Sequence, residues 1–307
     1  MLRLEIERLF DDPPSRYTVE DREMFEAFRN SLERGETRAA EPDPSSKTGW
    51  RVNIWVKKGI LVGFRMGVMV DMSVDRLRLP FFDKDTYPVQ PMSVANQVRI
   101  VPGGSSIRAG AYVAPGVTCM PPMFINVGAH VGNGTMVDSN ALVGSCAQVG
   151  RNCHISAGAQ LGGMIEPVGA LPVIVEDEAM VGGSAGVYEG VIIKRRAVLG
   201  SGTILNGSTP VYDLVREAVY TATETEPLVI PENAIVVPGS RSVSTVIGRK
   251  WGLSLYVAVI VKYRDERTDA RLKLEDVLRP HCIAALASND QSTDKDRERS
   301  VERWATD

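Results

Sequence analysis

The sequence predicts a mainly β protein built around a parallel β-helix, with an α-rich domain before it and a small strand and helix cap after it. Three observations lead to this fold class. An aliphatic residue recurs at every sixth position, a small residue stands four positions after most of them, and helix signals are confined to the flanks. A period of six matches neither an α-helix nor the alternation of a strand. It fits a triangular coil of about 18 residues, stacked at the strand spacing of about 4.8 Å.

The series, aliphatic except at Cys119, runs through the middle of the chain with an eight-residue interruption at residues 167–174, and it recurs after Val211 at Ile230 and Val236. Its members, which we expect to point into the coil, are Val101, Ile107, Val113, Cys119, Ile125, Val131, Val137, Val143, Val149, Ile155, Leu161, Val175, Val181, Val187, Ile193, Leu199, Leu205, Val211, Ile230 and Val236. The small residues four positions later are expected to fit the crowded corners of the coil. They include Ala111, Ala129, Thr135, Ala141, Ala147, Cys153, Ala159, Ala179, Ala185, Ala197, Thr203 and Ala234.

The flanks differ from the repeat. Before it, MLRLEIERLF and VEDREMFEAFRNSLERG predict helices, the second with Gly35 as its C-cap, and WRVNIWVKKGILVGFRMG predicts a helix or strand. After it, LSLYVAVIVKY predicts a strand that covers one end of the solenoid, and DARLKLEDVLR predicts a short amphipathic helix. We therefore expect an α-rich domain (1–95), a β-helix (96–240), a cap (241–283) and a charged, mobile tail (284–307).

Composition narrows the class of function. The 307 residues are 44% hydrophobic and 24% charged, as in ordinary soluble proteins. We expect a cytoplasmic protein without a membrane partner, because no apolar run could span a bilayer and acids interrupt the N-terminal apolar residues. A formal charge of −3 gives no reason to expect nucleic acid. The four cysteines fit neither a zinc ribbon nor a CxxC pair and are expected to be buried thiols.

Eight strings inside and beside the repeat follow one another in a distinctive order and spacing. They are FFDKD, VRIVPG, GTMVDS, VGSCAQVG, LGGMIEPVGALPVIVEDE, YEGVII, STPVYD and LYVAVIVK. Together they resemble the tetrahydrodipicolinate N-succinyltransferases, hexapeptide-repeat acyltransferases, over roughly residues 50–280. The resemblance implies that the β-helix is left-handed, whereas the usual rule for parallel crossovers favours the right hand.

The resemblance also implies an enzyme with small-molecule substrates. Such an enzyme transfers a succinyl group from succinyl-CoA, its co-substrate, to the amino group of ring-opened tetrahydrodipicolinate (2-amino-6-oxopimelate) in the succinylase branch of lysine and diaminopimelate biosynthesis. Relatives associate in threes, so we expect a homotrimer with sites between neighbouring helices. The alternative is a hexapeptide-repeat acyltransferase that uses acetyl-CoA, or another amino-acid or sugar acceptor, because the repeat alone does not give function.

Three residues are expected by this resemblance at the acceptor substrate. Asp138, in GTMVDS, matches the acid at the substrate amine and is the expected catalytic residue; its alternative role is to cap a corner. Arg99, in VRIVPG, matches an arginine that binds a substrate carboxylate, or else forms a salt bridge at the entrance of the solenoid. Glu166, in GGMIEP, either lines the substrate site or hydrogen-bonds the backbone of the interruption. Arg99 and Asp138 should lie two coils apart, about 10 Å along the axis.

The coenzyme is expected along one edge of the coils, where TPVYD, VGGSAG and LGSGT offer small residues and exposed N–H groups. The residues expected against its pantetheine arm are Gly183, Ser184, Gly200, Ser201 and Gly202. Glycine at a corner also has a purely structural role. Arg249 and Lys250, in GRKWG, are expected at the coenzyme phosphates, unless they are ordinary surface charges.

One stretch departs from the family pattern. Many relatives carry an arginine and then an acid where this chain reads GGSAGVYEG, with Ser184 and Gly186 at those places and Glu189 as the nearest acid. This difference from the family pattern bears on which acyl donor the protein uses and on how the proton is transferred.

The histidines argue against two other enzymes of this fold. A γ-type carbonic anhydrase needs three His ligands to zinc, whereas His130 and His154 are 24 residues apart, which predicts different faces of the coil, and His281 lies outside the repeat. A serine-type acetyltransferase needs a catalytic His, and neither repeat histidine has that family's surroundings. We expect no metal site.

Overall fold

The computed structural model describes residues 2–265. Its α-helices are α1 (Leu2–Asp11), α2 (Val19–Glu33), α3 (Ile54–Met66) and α4 (Val246–Lys250), with a 3-10 turn at Val94–Asn96. None of the helices in this range is both long and apolar enough to cross a membrane. The helix predicted at DARLKLEDVLR and the predicted mobile tail at 284–307 lie outside the described residues.

The N-terminal region packs its three helices together with two hairpins. The hairpins are β1 (Ala40–Pro42) with β2 (Trp50–Val52) and β3 (Met69–Asp71) with β4 (Phe82–Lys84). A capping box starts α2, because the Thr18 hydroxyl accepts from the N–H of Asp21 and the Asp21 carboxylate accepts from the N–H of Thr18. Gly35, at φ +70°, follows the end of that helix as predicted. The stretch WRVNIWVKKGILVGFRM forms both β2 and α3.

The β-helix has three faces, each a parallel sheet with one short strand per coil. On the first face lie β5 (Arg99–Ile100), β8 (Thr118–Cys119), β11 (Met136–Val137), β14 (His154–Ile155), β17 (Met180–Val181) and β20 (Val198–Leu199). On the second face lie β6 (Ser106–Ile107), β9 (Phe124–Ile125), β12 (Leu142–Val143), β15 (Gln160–Leu161), β18 (Gly186–Val187) and β21 (Ile204–Leu205). On the third face lie β7 (Tyr112–Val113), β10 (His130–Val131), β13 (Gln148–Val149), β16 (Ile174–Val175), β19 (Ile192–Ile193) and β24 (Val229–Ile230).

The registers explain the six-residue period. Met136 pairs with His154, and Leu142 pairs with Gln160, so one coil takes 18 residues (154 − 136). The second residue of each strand points into a shared apolar core, and the small corner residues are buried beside it. The predicted fold class and the predicted interruption, which falls between β15 and β16, are confirmed.

The first coil differs from the prediction. Ile100, not Val101, pairs with Cys119, so this coil has 19 residues, one more than each of the next two coils on the first face. The extra residue is taken up by the loop at 101–105, which contains Gly103 and Gly104 at positive φ. Ile100 is 38% exposed, so the core begins one strand later, at Ile107.

The N-terminal helices cover part of the β-helix. Val127 and Cys146, both buried, belong to the apolar cluster that α1, α2 and α3 form. Lys57, on α3, is fully buried and donates from Nζ to the carbonyl of Ala170 at 2.5 Å. This bond ties α3 to the inserted loop between β15 and β16.

The C-terminal end of the first face is closed by four further strands in both parallel and antiparallel pairs. β25 (Ala234–Ser242) follows β20 and pairs with β26 (Ser254–Tyr263), which also pairs with β22 (Val211–Asp213). β23 (Ala218–Tyr220) completes this sheet. Ala258 and Ile260 of β26 enter the core, which confirms that LSLYVAVIVKY covers the end of the coils. Because β25 crosses residue 240, the division there stays a prediction.

Candidate active site

The expected catalytic and pantetheine-binding residues share one edge of the prism. We call this edge the first corner. It consists of the turns that join the first face to the second, which begin at residues 138, 156, 182 and 200. The first residue of each turn donates its backbone N–H to a carbonyl of the next coil. These bonds run from Asp138 to Ile155, from Ser156 to Val181, from Gly182 to Leu199 and from Gly200 to Val236. Gly182 and Gly200 therefore lie about 10 and 14 Å from Asp138 along the axis.

Asp138 is held by its own turn and by the next coil. Its Oδ1 accepts from the backbone N–H of Ser139 at 2.7 Å, so part of the expected capping role is present. Its Oδ2 lies 3.5 Å from Nε2 of His154, which is long for a hydrogen bond. The side chain of Asp138 is 27% exposed and that of His154 is 13% exposed. One carboxylate oxygen is thus free to meet a ligand at the surface of the corner.

His154 was not expected at this site. It stands 16 residues after Asp138 in the chain, and its strand β14 pairs with β11 in the next coil. The signal was present in the repeat, because a residue 18 positions after Met136 must lie beside Met136 and next to Asp138. The prediction that the two repeat histidines lie on different faces of the coil is confirmed, because His130 lies on the third face and His154 on the first.

In the last three turns of the first corner, the second residue leaves a backbone N–H for a ligand, whereas in the first turn the N–H of Ser139 donates to Asp138. The N–H groups of Ala157, Gly183 and Ser201 donate to no acceptor among residues 2–265. One such group occurs in each of these three turns, so they form a row with a step of about 4.8 Å. We call these three groups the amide row. Amides or carbonyls of an extended ligand could bind along it.

The other predicted coenzyme residues do not offer free N–H groups. Ser184 donates to Ala157, Gly202 donates to Gly183, and Gly200 donates to Val236, each at 2.7 to 2.9 Å. The expectation of exposed N–H groups is wrong at these three positions, because they form the hydrogen bonds between coils. Ser184 and Gly202 adopt φ of +55° and +74° at the bend, so their role in the corner is conformational.

Arg249 and Lys250 lie away from the coils, in the last turn of α4, and both are exposed. α4 connects β25 to β26. The earlier strands of the first face end at the first corner, whereas β25 continues for six residues after Val236. The far end of β25 and α4, which we call the projecting tip, therefore extends about 20 Å past the first corner. The two cations therefore lie beyond the first corner and not beside Asp138.

Arg99 is exposed on the first face, in the column of Thr118 and Met136. It is two coils before Met136, as expected, but the longer first coil leaves it two residues from the phase of Asp138 rather than three. Its side chain forms no ion pair with any of the described residues, so the alternative of a salt bridge is not observed there.

Glu166 does not meet Asp138 within one protomer. It is exposed in the inserted loop between the second and third faces, at a different corner of the prism. Its carboxylate accepts no hydrogen bond from residues 2–265; the loop is held instead by Lys57 on Ala170 and by the N–H of Met164 on Ser145.

The space beside Gly186, one of the positions that depart from the family pattern, is filled by an aromatic ring. A Cβ added to Gly186 would lie 2.5 Å from the ring of Tyr188, and one added to Gly162 would lie 2.7 Å from it. Tyr188 thus lies across two glycines of the second face, where a larger side chain at position 186 has no room. This ring was not identified from the sequence, although the pair of glycines one coil apart was a signal.

No metal-binding cluster lies beside Asp138 in the part of the chain that the structure describes. Among residues 2–265, no group of three or more His, Cys, Asp or Glu side chains is arranged to hold a metal ion.

The buried Cys119, Cys146 and Cys153 are free thiols, and burial raises the pKa of each to about 12. The fourth, Cys282, lies outside the described range.

Comparisons with known proteins agree with this architecture. A family model described as the N-terminal region of tetrahydrodipicolinate N-succinyltransferase matches residues 1–66. Two further models match residues 128–163, as a bacterial transferase hexapeptide of six repeats, and residues 172–206, as the hexapeptide repeat of succinyl-transferase. These matches identify the coils as those of a left-handed β-helix. A solved structure from Campylobacter jejuni, described as a 2,3,4,5-tetrahydropyridine-2-carboxylate N-succinyltransferase, shares 18% identity and a TM-score of 0.43, with 78% of this chain and 62% of that chain covered.

Three curated relatives have the same name, 2,3,4,5-tetrahydropyridine-2,6-dicarboxylate N-succinyltransferase. The protein of Methylobacterium sp. (strain 4-46) is 41% identical, over 84% of this chain and 90% of the relative. That of Paramagnetospirillum magneticum is 40% identical, over 85% and 90%. That of Xylella fastidiosa is 40% identical, over 81% and 86%. The identity and coverage show that this chain belongs to the family of the 2,3,4,5-tetrahydropyridine-2,6-dicarboxylate N-succinyltransferases.

Proposed function

We propose that this protein transfers the succinyl group of succinyl-CoA to the amino group of 2-amino-6-oxopimelate, the ring-opened form of tetrahydrodipicolinate, in lysine and diaminopimelate biosynthesis. The observation that carries the proposal is the position of Asp138. Its carboxylate stands at an open corner, in contact with His154, at the start of the edge along which the amide row runs. The absence of a membrane-spanning helix among residues 2–265 is compatible with a cytoplasmic location, which forms part of the proposal.

Asp138 acts on the amine of the acceptor. Near neutral pH the amine is an ammonium and must lose a proton before it can attack the thioester. The free Oδ2 of Asp138 pairs with the ammonium and orients it, and His154 restricts the carboxylate from the other side. The ammonium first loses one proton, by way of the Asp138 carboxylate, to solvent. A C–N bond then forms, the C–S bond of the thioester breaks, and a second proton from the nitrogen goes to the leaving sulfur, so that coenzyme A leaves as the thiol.

The amide row supports a position for the donor. A thioester oxygen gains negative charge during attack, and a fixed backbone N–H stabilises it best. The N–H of Ala157 is one coil from Asp138, and those of Gly183 and Ser201 follow at equal steps for the amides of the pantetheine arm. Arg249 and Lys250, on the projecting tip, are suited to bind phosphates farther along.

A homotrimer would close the site. In one protomer the first corner is open, and Glu166 lies at another corner. The outward residues of the two faces beside Asp138 include several large apolar side chains. They are Phe124, Met136, Leu142, Met180 and Ile204. Apolar outer faces favour packing against another copy, which would bring a second corner toward Asp138.

A second candidate keeps the chemistry and changes the substrates. Gly186 and Ser184 stand where many relatives carry an acid and an arginine, and Tyr188 fills the space beside Gly186. Because this chain lacks that arginine and that acid, the second candidate is a hexapeptide-repeat acyltransferase that uses acetyl-CoA as donor, or another amino acid or a sugar as acceptor.

Release of coenzyme A distinguishes the two candidates. The assay compares succinyl-CoA with acetyl-CoA, each with 2-aminopimelate as acceptor. We expect kcat/KM to be about tenfold to a hundredfold higher with succinyl-CoA, because a group that pairs with the donor carboxylate stays unmatched with acetyl. Equal values would reject the succinyl assignment and leave an acyltransferase. Sedimentation equilibrium tests the trimer: a stable 33.4 kDa monomer at micromolar concentration would contradict it.

A further inference from the structure

A cavity of about 450 Å³ lies between the β1–β2 hairpin and the third face of the β-helix. Its lining includes Arg38, Trp50, His130, Glu176 and Lys194, and no residue of the first corner. The cavity is therefore separate from the site around Asp138.

Both acids that line this cavity are already paired. Glu176 accepts from Nε1 of Trp50 at 2.9 Å and from Nζ of Lys194 at 2.8 Å. Asp177 forms an ion pair with Arg151 at 2.7 Å. These carboxylates therefore need no cation from a ligand.

Arg38 is the exception among the charged groups of the lining. Its Nε donates to Oε1 of Gln148 at 3.0 Å, and its guanidinium lies 5.7 Å from the centre of the Trp50 ring. No carboxylate of residues 2–265 lies within 4.0 Å of it, and its two terminal nitrogens have no acceptor in that range. A half-buried cation without an ion-pair partner is costly. Desolvation lowers the pKa of Arg38, although the charges of Glu41 and Asp177 act in the opposite direction.

His130 adds a second unmatched group. Its ring lies against the ring of Tyr112, with 4.5 Å between centroids, and its Nδ1 is buried without a hydrogen-bond partner in the described part of the chain. Burial, followed by the charge of Arg38, lowers the pKa of His130 to about 3. The imidazole is thus neutral near pH 7 and can form one hydrogen bond without adding charge.

We propose that this cavity is a second ligand site, which binds a small organic monocarboxylate. The carboxylate bridges the terminal nitrogens of Arg38, His130 contributes a hydrogen bond, and the apolar part of the ligand lies against Trp50. The forked end of a guanidinium matches the two oxygens of a carboxylate. A single unpaired cation in the described lining matches one negative charge better than the higher charge of phosphate.

Fluorine NMR with 5-fluorotryptophan tests the proposal on the full chain. The protein has four tryptophans, and Trp50→Phe assigns the resonance of Trp50. Titration with butyrate should shift that resonance saturably, with a dissociation constant in the millimolar range or below. Inorganic phosphate serves as the competing probe and should bind at least tenfold more weakly.

Variants of Arg38 identify the cation. Arg38→Gln should weaken butyrate binding at least tenfold, and Arg38→Lys, which keeps the charge but loses the fork, should weaken it severalfold. Arg241→Gln, an exposed arginine outside the cavity, should change the affinity less than twofold. The proposal fails if wild-type protein shows no saturable shift up to 100 mM butyrate, if phosphate binds as tightly, or if either Arg38 variant retains wild-type affinity. Should Arg38→Gln not fold, Arg38→Lys and the wild-type titrations decide.

Discussion

Nε2 of His154 lies 3.5 Å from Oδ2 of Asp138, one coil of the β-helix apart. The coil repeat brings them together, since the 18-residue register places His154 beside Met136, two residues before Asp138. The contact leaves the carboxylate part-exposed while one side of it is restrained. This pair is the basis of the first two predictions.

Asp138→Asn keeps the shape of the side chain and removes its charge. We expect kcat/KM to fall by roughly 10² to 10⁴, because orientation and deprotonation of the amine are both lost. The fold should persist, since Asp138 is not part of the apolar core. Glu232→Gln, an exposed acid at another corner, is the control and should leave the rate nearly unchanged. If the Asp138 variant melts normally and retains more than about a third of wild-type kcat/KM, Asp138 is only a capping residue.

His154 is predicted to position Asp138 rather than to react. His154→Leu should lower kcat about tenfold and leave the KM for succinyl-CoA unchanged, because the carboxylate loses its support while the amide row is unaltered. His154→Asn keeps a polar atom toward Asp138 and should restore part of the rate. Steady-state kinetics of both variants provide the test. Equal losses in the two would indicate that the ring acts only by packing.

His130 should make the protein sensitive to acid. Its folded pKa of about 3 lies below the unfolded value near 6.5. The unfolded chain therefore binds the proton more readily, so the contribution to stability is complete above pH 6.5 and is lost as the pH falls toward 3. The free energy of unfolding should drop by about 3 kcal/mol from this group between pH 7 and pH 4. Urea unfolding of His130→Gln should show a drop smaller by that amount; an unchanged drop would disprove the assignment.

Three buried thiols should be inert in the folded protein. Desolvation holds the pKa of Cys119, Cys146 and Cys153 at about 12, so almost no thiolate is present at neutral pH. A Cys282→Ser background removes the fourth cysteine. In that background, Ellman's reagent should detect almost no thiol in native protein and three after denaturation. Rapid reaction of the native protein would contradict the burial of these residues.

Gly186 and Tyr188 should be energetically coupled. Gly186→Ala places a methyl group 2.5 Å from the Tyr188 ring, so we expect a loss of about 1 to 3 kcal/mol as the ring is displaced. In a Tyr188→Val background the same change should cost much less, because the ring is absent. Urea unfolding of the four proteins gives the coupling energy. Strictly additive effects would show that Tyr188 does not occupy that space.

The period of six predicted much of this fold because each residue of the series performs the same task in every coil. Val137 and Ile155 are equivalent by sequence and equivalent in the core. The prediction was wrong at Val101, where the core is incomplete and a neighbouring coil lies on one side only. Local apolar character is the same at Ile100 and Val101; the pairing with Cys119 decides between them.

The candidate site was less predictable because it depends on neighbours from different coils. Asp138 could be recognised from its motif, whereas His154 needed the register, and the amide row needed a count of which N–H groups are used between coils. Arg38 and His130 are 92 residues apart, and only the packing of the β1–β2 hairpin on the third face places both around one cavity. Sequence periodicity contains no information on that packing.

The antiparallel strand β26 has a consequence for how such a protein can change in evolution. A stack that ended on β20 or β25 would present a parallel edge to which a duplicated coil could be added. β26 occupies that edge in the opposite direction and is itself flanked by β22. A coil duplicated at this end of the first face would have to displace β26, whereas a duplication inside the repeat adds one 18-residue step and leaves β26 in place, as between Met136 and His154.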